Sequence, residues 1–177
     1  FIFKGGLLLA QYLTIGRETI DADFLIRKLK TGSPIIETAV KDIIASTVPD
    51  GFLFRWDSIE VLNQPHMDYT GFRISLHAVF GAMKDKVCLD IGFGDEVTPK
   101  NQIFRRFKYR GQALFDGEIS LRVYPVEAIF SEKFETIVAK GSINSRMKDY
   151  HDVLLMTREQ GMLDPVKLSA SMNKTFV

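Results

Sequence analysis

Apolar and polar residues alternate with the two-residue period of β-strands over much of the first part of the chain. Bounded by Gly, Pro and Asp residues, these stretches predict strands over residues 21–26, 52–62, 72–80, 87–93 and 119–123. The apolar residues 1–3 predict the end of a further, buried strand. With helices between them, these strands predict a mixed α/β core over residues 1–124.

Helical spacing replaces this alternation after Pro125. One apolar stripe ends near Gly141, and its members lie three or four residues apart on one helix face: Val126, Ile129, Phe130, Phe134 and Ile137. A second helix is predicted from about 147 to about 158, and the Asp164-Pro165 pair opens a third. We therefore expect an α+β protein whose core is followed by a helical subdomain over residues 125–177.

Two more helices are predicted inside the core. One follows the first strand over residues 7–13. The other follows the turn at residues 31–34, where Ser33 is a candidate N-cap and Pro34 is suited to the first helical position.

Composition narrows the possible classes of protein. The 177 residues carry 23 basic and 22 acidic side chains, so nucleic acid would have to bind a local patch. One cysteine permits no internal disulfide and fits a reducing cytosol, and three scattered histidines make a usual zinc site unexpected. No apolar run is long enough to span a bilayer, so we expect a cytoplasmic protein. Because the chain begins at Phe1 with no initiator Met, we also expect an upstream segment.

Two motifs near the start of the chain predict a nucleotide site. Gly5 and Gly6 follow the first strand, and glycines let the backbone and the next helix's free N–H groups approach a phosphate chain. Asp21 and Asp23 alternate on the second strand, so both face one side and can hold Mg²⁺. This order predicts a nucleotidyltransferase core, although a D-x-D pair on a solvated strand is also common.

Asp90 is the candidate for a third carboxylate. Alternate residues from Val87 to Phe93 form an apolar face, which places Asp90 on the opposite face of its strand. A mid-strand aspartate is costly unless it has a partner or a cation. Asp21, Asp23 and Asp90 would together make a Mg²⁺ site, and the open alternative is an Asp90 bonded to backbone amides or to an arginine.

Two charged residues of the helical part are further candidates. Lys133 lies within the apolar stripe of its helix, so its ammonium could reach the phosphates of a nucleotide, or it could snorkel at the edge of the interface. Asp149 follows one helix later and could equally be a cap or a solvated charge. Lys148 and Asp152 have the spacing of an ordinary helix-surface ion pair.

A run of cations interleaved with aromatic residues spans residues 104–110. Such a ribbon can neutralise phosphates and stack bases, and it can equally be an edge strand with a charged outer face. Its candidate RNA-binding residues are Arg105, Arg106, Lys108 and Arg110.

Five ordered motifs resemble those of the AbiEii/AbiGii nucleotidyltransferase toxins of bacterial abortive-infection and toxin–antitoxin systems. The likeness covers nearly the whole chain. The motifs are Phe3-Lys4-Gly5-Gly6, Arg17-x-Thr19-x-Asp21-x-Asp23, Leu89-Asp90-Ile91-Gly92-Phe93-Gly94-Asp95, Tyr124-Pro125-x-Glu127 with Glu132-Lys133-Phe134, and Asn144-Ser145-Arg146-x-Lys148-Asp149.

This resemblance implies a polymerase-β-like nucleotidyltransferase core with a C-terminal helical appendage. It implies that the nucleotide is bound by Lys4, Gly5, Gly6, Arg17, Thr19 and Lys133. It implies that Asp21 and Asp23 bind Mg²⁺ or Mn²⁺ with Asp90 as third carboxylate, and that Lys133 and Asp149 are the essential lysine and aspartate of the helical region. Leu7 departs from the family, because many members have Thr or Ser there.

The expected reaction is metal-dependent transfer of an NMP from an NTP to a hydroxyl, on RNA or tRNA, by a toxin with an antitoxin partner. The alternative is a catalytically silent module that binds a nucleotide or RNA on the same fold. We further expect the Lys133 ammonium to face the three core carboxylates across the cleft, and to pair with one of them when the site is empty.

Overall fold

The computed structural model describes residues 1–27, 32–46, 48, 50–62, 71–94, 97–104, 108–109, 112–113 and 118–176. The strands are β1 (Ile2–Lys4), β2 (Asp21–Ile26), β3 (Phe52–Leu62), β4 (Gly71–Phe80), β5 (Met83–Phe93), β6 (Lys100–Phe104), β7 (Lys108–Tyr109), β8 (Gln112–Ala113) and β9 (Ile119–Val123). The helices are α1 (Gly5–Tyr12), α2 (Ser33–Ala45), α3 (Val126–Lys140), α4 (Met147–Arg158) and α5 (Pro165–Thr175), with a 3₁₀ turn at Gly141–Ile143. The α+β prediction is confirmed.

Seven of the described strands form one mixed sheet in the order β3-β4-β5-β2-β1-β9-β6, and β7 pairs with β8 in a separate hairpin. Two pairings are parallel, β2 with β5 and β1 with β9, and the others are antiparallel. The register aligns Asp23 with Lys4 on one side and with Asp90 on the other. Asp90 in turn lies opposite Arg73 of β4. Four charged residues are therefore adjacent across the middle of the sheet.

Two apolar clusters hold these elements together. One joins β1 and α1 to the helical part through fully buried residues such as Leu8, Ile129 and Met156. The other packs α2 on the sheet through Ile36, Val40, Ile74 and Ile91, among others. Each such side chain contributes about 1.5–3 kcal/mol relative to its exposed state. The apolar face predicted for residues 87–93 does pack in this second cluster, so the face that carries Asp90 is left for the cleft.

Element boundaries differ from the prediction at several places, and β5 begins at Met83 rather than at residue 87. The first helix begins at Gly5 rather than at residue 7, so both glycines belong to it. Gly32, not Ser33, is the N-cap of α2, and no side chain caps that helix. Strand β6, which pairs with β9 at the edge of the sheet, was not predicted. Asp164 does cap α5, as expected, by accepting hydrogen bonds from the N–H groups of Val166 and Lys167.

The basic and aromatic ribbon is described only in part. Phe104 ends β6, and Lys108 belongs to the short strand β7, of which the backbone is described. Arg105, Arg106 and Arg110 lie outside the described residues. The RNA-binding role of the ribbon therefore stays a prediction.

Candidate functional site

A cleft of about 1670 Å³ separates the central strands of the sheet from the helices α3 to α5. Typical small-molecule sites measure about 300–1,000 Å³, so this cleft has room for a nucleotide together with part of a second substrate. The cleft is lined by the catalytic, nucleotide-binding and metal-binding candidates from both parts of the chain: Lys4, Gly5, Gly6, Arg17, Thr19, Asp21, Asp23, Asp90, Lys133 and Asp149.

Three carboxylates lie on the sheet side of the cleft. Asp21 and Asp23 alternate along β2, and the parallel register brings Asp90 beside Asp23. Burial raises the pKa of Asp23, the negative charges of Asp90 and Asp21 raise it further, and Lys4 and Lys148 act in the opposite direction. The ionised form of Asp23 is therefore less favourable than it would be in water, chiefly because the side chain is buried.

Arg73 is the counterion of Asp90. Its Nε and Nη2 atoms each donate a hydrogen bond of 2.7 Å to one of the two Asp90 oxygens, and Nη2 lies 4.0 Å from Asp21. The hydrogen bonds to Asp90 raise the pKa of Arg73, which is charged at every accessible pH. The partner of Asp90 is thus an arginine, the alternative left open by the sequence, and the expected pairing of Lys133 with a core carboxylate is wrong.

The double glycine lies against the sheet carboxylates. Gly5 has a φ of +76°, and a Cβ added there would lie 1.9 Å from the Asp23 Oδ2 atom. A Cβ added at Gly6 would lie 3.0 Å from Arg17 Nη2 and 3.1 Å from Thr19 Oγ1. Only glycine fits at Gly5, because any side chain would meet the carboxylate and the backbone is left-handed. The first turn of α1 is therefore enclosed by Asp23, Arg17 and Thr19.

Lys4 completes this side of the cleft. Its ammonium donates hydrogen bonds of 3.0 and 2.7 Å to the two carboxylate oxygens of Glu132 and lies 4.8 Å from the centre of the Tyr124 ring. The Tyr124 hydroxyl donates a 2.5 Å hydrogen bond to the same carboxylate. Since Glu132 belongs to α3, this cluster joins the first strand to the helical part.

Buried charges of opposite sign meet on the helical side of the cleft. The Lys133 ammonium lies 2.8 Å from Asp149 and 2.9 Å from Asp152, whose side chains are 1% and 0% exposed. Arg146 Nε lies 2.8 Å from Asp149 Oδ2, an ion pair without the alignment of a hydrogen bond. Arg17 holds Asp152 from the core side, at 2.5 Å between Nη2 and Oδ2. The expected surface ion pair between Lys148 and Asp152 is therefore wrong.

The two buried aspartates lie three residues apart on α4, so both face α3 and its lysine. Burial raises the pKa of Asp152, but the hydrogen bonds from Arg17 and Lys133 and their positive charges outweigh burial and lower it. Asp149 and Lys133, which the family motifs implied as essential residues, both line the cleft and contact each other. The partner of Lys133, however, is on the neighbouring helix rather than on the sheet.

The family model described as "Nucleotidyl transferase AbiEii toxin, Type IV TA system" matches residues 1–177. The chain belongs to the AbiEii family. Among curated protein sequences, none matches this AbiEii chain.

Two solved structures from Helicobacter pylori share the fold of the AbiEii chain. One is JHP933, with a TM-score of 0.55 and 16% identity over 98% of this chain and 64% of that one. The other is described as a candidate nucleotidyltransferase, with a TM-score of 0.54 and 16% identity over 98% of this chain and 67% of that one. The AbiEii chain therefore spans about two thirds of each. At this identity the likeness concerns the fold.

Three functional candidates in this AbiEii chain were missed by the sequence analysis: Arg73, Glu132 as a partner of Lys4, and Asp152. Arg73 could have been found, because a two-residue turn between Phe80 and Met83 fixes the antiparallel register that sets it opposite Asp90. Glu132 and Asp152 could not, since their partners Lys4 and Arg17 are more than 100 residues away in sequence.

The three carboxylates of the sheet have the type of ligand atom that a hard divalent cation prefers. Asp21, Asp23 and Asp90 offer the oxygen ligands that Mg²⁺ and Mn²⁺ prefer, and burial, which raises the pKa of Asp23, disfavours a charge that a bound cation would stabilise. As the side chains stand, no group of three acidic, histidine or cysteine side chains among the described residues converges on a metal position. The residues fit a metal at Asp21 and Asp23, whereas Asp90 would first have to exchange its bond to Arg73.

Proposed function

We propose that the chain is a metal-dependent nucleotidyltransferase that moves an NMP from an NTP to a hydroxyl of RNA and releases pyrophosphate. The observation that carries this proposal is the contact between the first turn of α1 and Asp23, where an added Cβ at Gly5 would lie 1.9 Å from the carboxylate. A phosphate-binding helix start and an acidic metal site are thereby adjacent. NMP transfer requires this adjacency, because the metal must contact the triphosphate that the helix holds.

The triphosphate would be held by the N–H groups at the start of α1, the Thr19 hydroxyl, and the side chains of Arg17, Lys4 and Lys133. Arg17 and Thr19 are the groups that an added Cβ at Gly6 would meet, so both lie beside these N–H groups. Lys133 is 12% exposed and lines the cleft, where its charge can also stabilise the leaving pyrophosphate.

Asp21 and Asp23 would hold Mg²⁺ or Mn²⁺, with Asp90 as the third ligand. The metal, when bound, neutralises the triphosphate and lowers the pKa of the attacking hydroxyl. Asp90 lies beside Asp23 and, once it has exchanged its bond to Arg73, would accept the proton of that hydroxyl. The hydroxyl oxygen bonds to the α-phosphorus as the bond to the α–β bridging oxygen breaks, and pyrophosphate leaves.

The acceptor would be RNA, with tRNA as one candidate. Cations of the helical part line the cleft on the side opposite the sheet: Lys133, Lys140, Arg146, Lys148, Lys167 and Lys174. A row of lysines and arginines neutralises a phosphodiester backbone without reading its sequence. These residues support a nucleic acid as acceptor over a small uncharged molecule.

A transfer assay tests the reaction. The chain is incubated with Mg²⁺, total RNA and each NTP, labelled in turn at the α- or the γ-phosphate. The expected result is α-label in RNA and γ-label in pyrophosphate. Release of NDP would instead indicate a phosphotransferase, and α-label without RNA would indicate a small or protein acceptor. No Mg²⁺-dependent binding or turnover of any NTP would overturn the enzymatic proposal.

The family further supports a biological role as a toxin that is paired with an antitoxin and damages translation. Expression of the wild type alone should slow bacterial growth, whereas Asp21→Ala should grow normally. Equal growth of the two strains, at equal protein levels, would contradict toxicity by nucleotide transfer.

The described residues contain no helix long and apolar enough to cross a membrane.

A second candidate function is a catalytically silent module that binds a nucleotide or RNA. The ion pair between Arg73 and Asp90 favours it, because the third carboxylate is already neutralised. Leu7 favours it as well, since it lacks the hydroxyl of many family members. Turnover and nucleotide binding of the wild type and of Asp90→Asn separate the two. For an enzyme, the wild type shows metal-dependent turnover and Asp90→Asn loses it. For a silent module, neither protein shows turnover, and both bind the nucleotide equally well. A change in melting temperature does not separate them, since both lose the hydrogen bonds to Arg73.

A further inference from the structure

Asp152 is a fully buried carboxylate that contacts two of the cations lining the cleft. Its Oδ1 atom accepts a 2.9 Å hydrogen bond from Arg17 Nε, and its Oδ2 atom accepts one of 2.5 Å from Arg17 Nη2. The Lys133 ammonium lies 2.9 Å from the same Oδ2 atom. The side chain of Asp152 is 0% exposed, and Asp152 is absent from the residues that line the cleft. It therefore contacts cleft residues without facing the substrate.

Arg17 lies in the connection between α1 and β2, which has no regular secondary structure. Its guanidinium also donates a 3.1 Å hydrogen bond from Nη1 to the carbonyl oxygen of Glu18. The Nη2 and Nη1 atoms lie 3.0 and 3.6 Å from the position of an added Cβ at Gly6. The two-point contact with Asp152 thus fixes the plane of the guanidinium beside the phosphate-binding turn.

We propose that Asp152 is a positioning residue that orients Arg17 and Lys133 toward the triphosphate. The inference rests on the proposed function, and it adds a residue that acts through two others rather than on the nucleotide. The arginine fork is planar, so two hydrogen bonds from one carboxylate set both its location and its tilt. Because Asp152 belongs to α4 and Arg17 to the core, the helical part determines the geometry of the phosphate site.

Stability alone is a poor explanation of this arrangement. Removing two charges from water costs several kcal/mol for each ion, and apolar residues of similar volume are often as stabilising as a buried ion pair. The charges of Arg17 and Lys133 remain 20% and 12% exposed on the cleft side, while the carboxylate is enclosed. The cations are thus available to an anionic ligand, and the buried anion keeps their nitrogen atoms in place.

The test measures the affinity for inorganic tripolyphosphate in the presence of Mg²⁺, by calorimetry, with each NTP measured in parallel. Tripolyphosphate excludes any contribution from the base. Asp152→Asn and Arg17→Gln should each raise the Kd roughly 10- to 100-fold, the range for carboxylates that orient ligating residues. The double variant should bind more strongly than the sum of the two single losses predicts, because Asp152 acts partly through Arg17.

Asp164→Ala is the matched control for stability. It removes the cap of α5, which should cost about 1 kcal/mol of unfolding free energy in the same helical part. Its Kd for tripolyphosphate should equal that of the wild type. A control variant as weak as Asp152→Asn would mean that any destabilisation of the helices lowers affinity, and would overturn the inference.

Three results distinguish this inference from the proposed function. Wild-type affinity retained in Asp152→Asn, or additive losses in the double variant, would overturn the positioning role and leave the enzyme intact. A wild type that binds neither tripolyphosphate nor any NTP would overturn both. If Asp152→Asn does not fold, Arg17→Lys decides, since lysine keeps the charge but lacks the fork. It should bind as weakly as Arg17→Gln, and wild-type affinity would contradict the inference.

Discussion

The two walls of the cleft neutralise their carboxylates in different ways. The sheet wall has Asp21, Asp23 and Asp90, and the guanidinium of Arg73, which is 38% exposed, lies 4.0 Å from Asp21 and 2.7 Å from Asp90. The helical wall has two aspartates that are 1% and 0% exposed, with three cations around them: Lys133, Arg146 and Arg17. The sheet wall therefore has more carboxylates than close cations, whereas the helical wall has at least one close cation for each buried aspartate.

This difference indicates that the two walls of the cleft have different roles. A carboxylate group that lacks counterions gains most from a divalent cation, so the sheet wall is where we propose that the metal binds. Carboxylates that already have their cations gain nothing from a metal, and they serve to hold those cations in place. Lys133→Ala, which would leave Asp149 and Asp152 short of a counterion, should therefore lower stability as well as nucleotide affinity.

The largest expected effect follows from Asp23→Asn. Turnover should fall by at least about 10³-fold, because the metal loses a ligand and transition-state charge goes unneutralised. The metal-free protein should nevertheless be as stable as the wild type or more stable, since burial raises the pKa of Asp23 and disfavours its charge. Steady-state kinetics and thermal unfolding without metal provide the two measurements.

The matched change on the helical wall is Asp152→Asn, which should lower the melting temperature. If Asp23→Asn destabilises the protein as strongly as Asp152→Asn does, then the two walls do not differ in their need for positive charge.

The next effect concerns the close contact at Gly5. Gly5→Ala should cost several kcal/mol of unfolding free energy, because the added Cβ would meet Asp23 and the backbone has a positive φ. Gly16→Ala is the control, since Gly16 also has a positive φ (+61°) but no atom within 4 Å of an added Cβ. It should cost only about 1–2 kcal/mol. Equal losses in chemical denaturation would show that the Asp23 contact does not restrict Gly5.

Much of the fold could be predicted because its strands follow the period of two and its helices the period of 3.6. Strands β2, β3 and β9 and helix α4 have the predicted bounds. The partners of the site residues could not be predicted where they depend on long-range packing. Lys133 was correctly assigned to the cleft, but the sequence could not show that Asp149 and Asp152 of α4 would approach it more closely than the sheet does.

Arg73→Gln should have a smaller effect on both stability and metal affinity. The loss of a partly exposed ion pair costs about 1 kcal/mol or less, so the melting temperature without metal should fall by a few degrees. Affinity for Mn²⁺ should rise several-fold, because Asp90 no longer has to exchange a guanidinium for the metal. Arg73→Lys, which keeps the charge, should retain an affinity close to that of the wild type. An unchanged or lower affinity in Arg73→Gln would contradict competition for Asp90.

The smallest effect is a difference in pH dependence between the walls. The pKa of Asp23 is raised above 3.8 in the metal-free fold, so its contribution to stability is present at lower pH and is lost as pH rises through the folded pKa. The pKa of Asp152 is lowered below 3.8, so its contribution is present above that value and is lost as pH falls through the folded pKa. Unfolding free energies should be measured from below to above pH 3.8. The difference between variant and wild type should change with pH in opposite directions for Asp23→Asn and Asp152→Asn. Slopes of the same sign would contradict this assignment.

Binding of Mn²⁺ to the purified chain, measured by electron paramagnetic resonance without nucleotide, tests most directly whether the sheet wall is the metal site. The wild type and Asp152→Asn should bind Mn²⁺ with the same affinity, and Asp23→Asn should lose binding. Circular dichroism confirms that each variant is folded. A wild type that binds no Mn²⁺, or a loss of binding in folded Asp152→Asn equal to that in Asp23→Asn, would contradict the division between a metal-binding wall and a cation-holding wall.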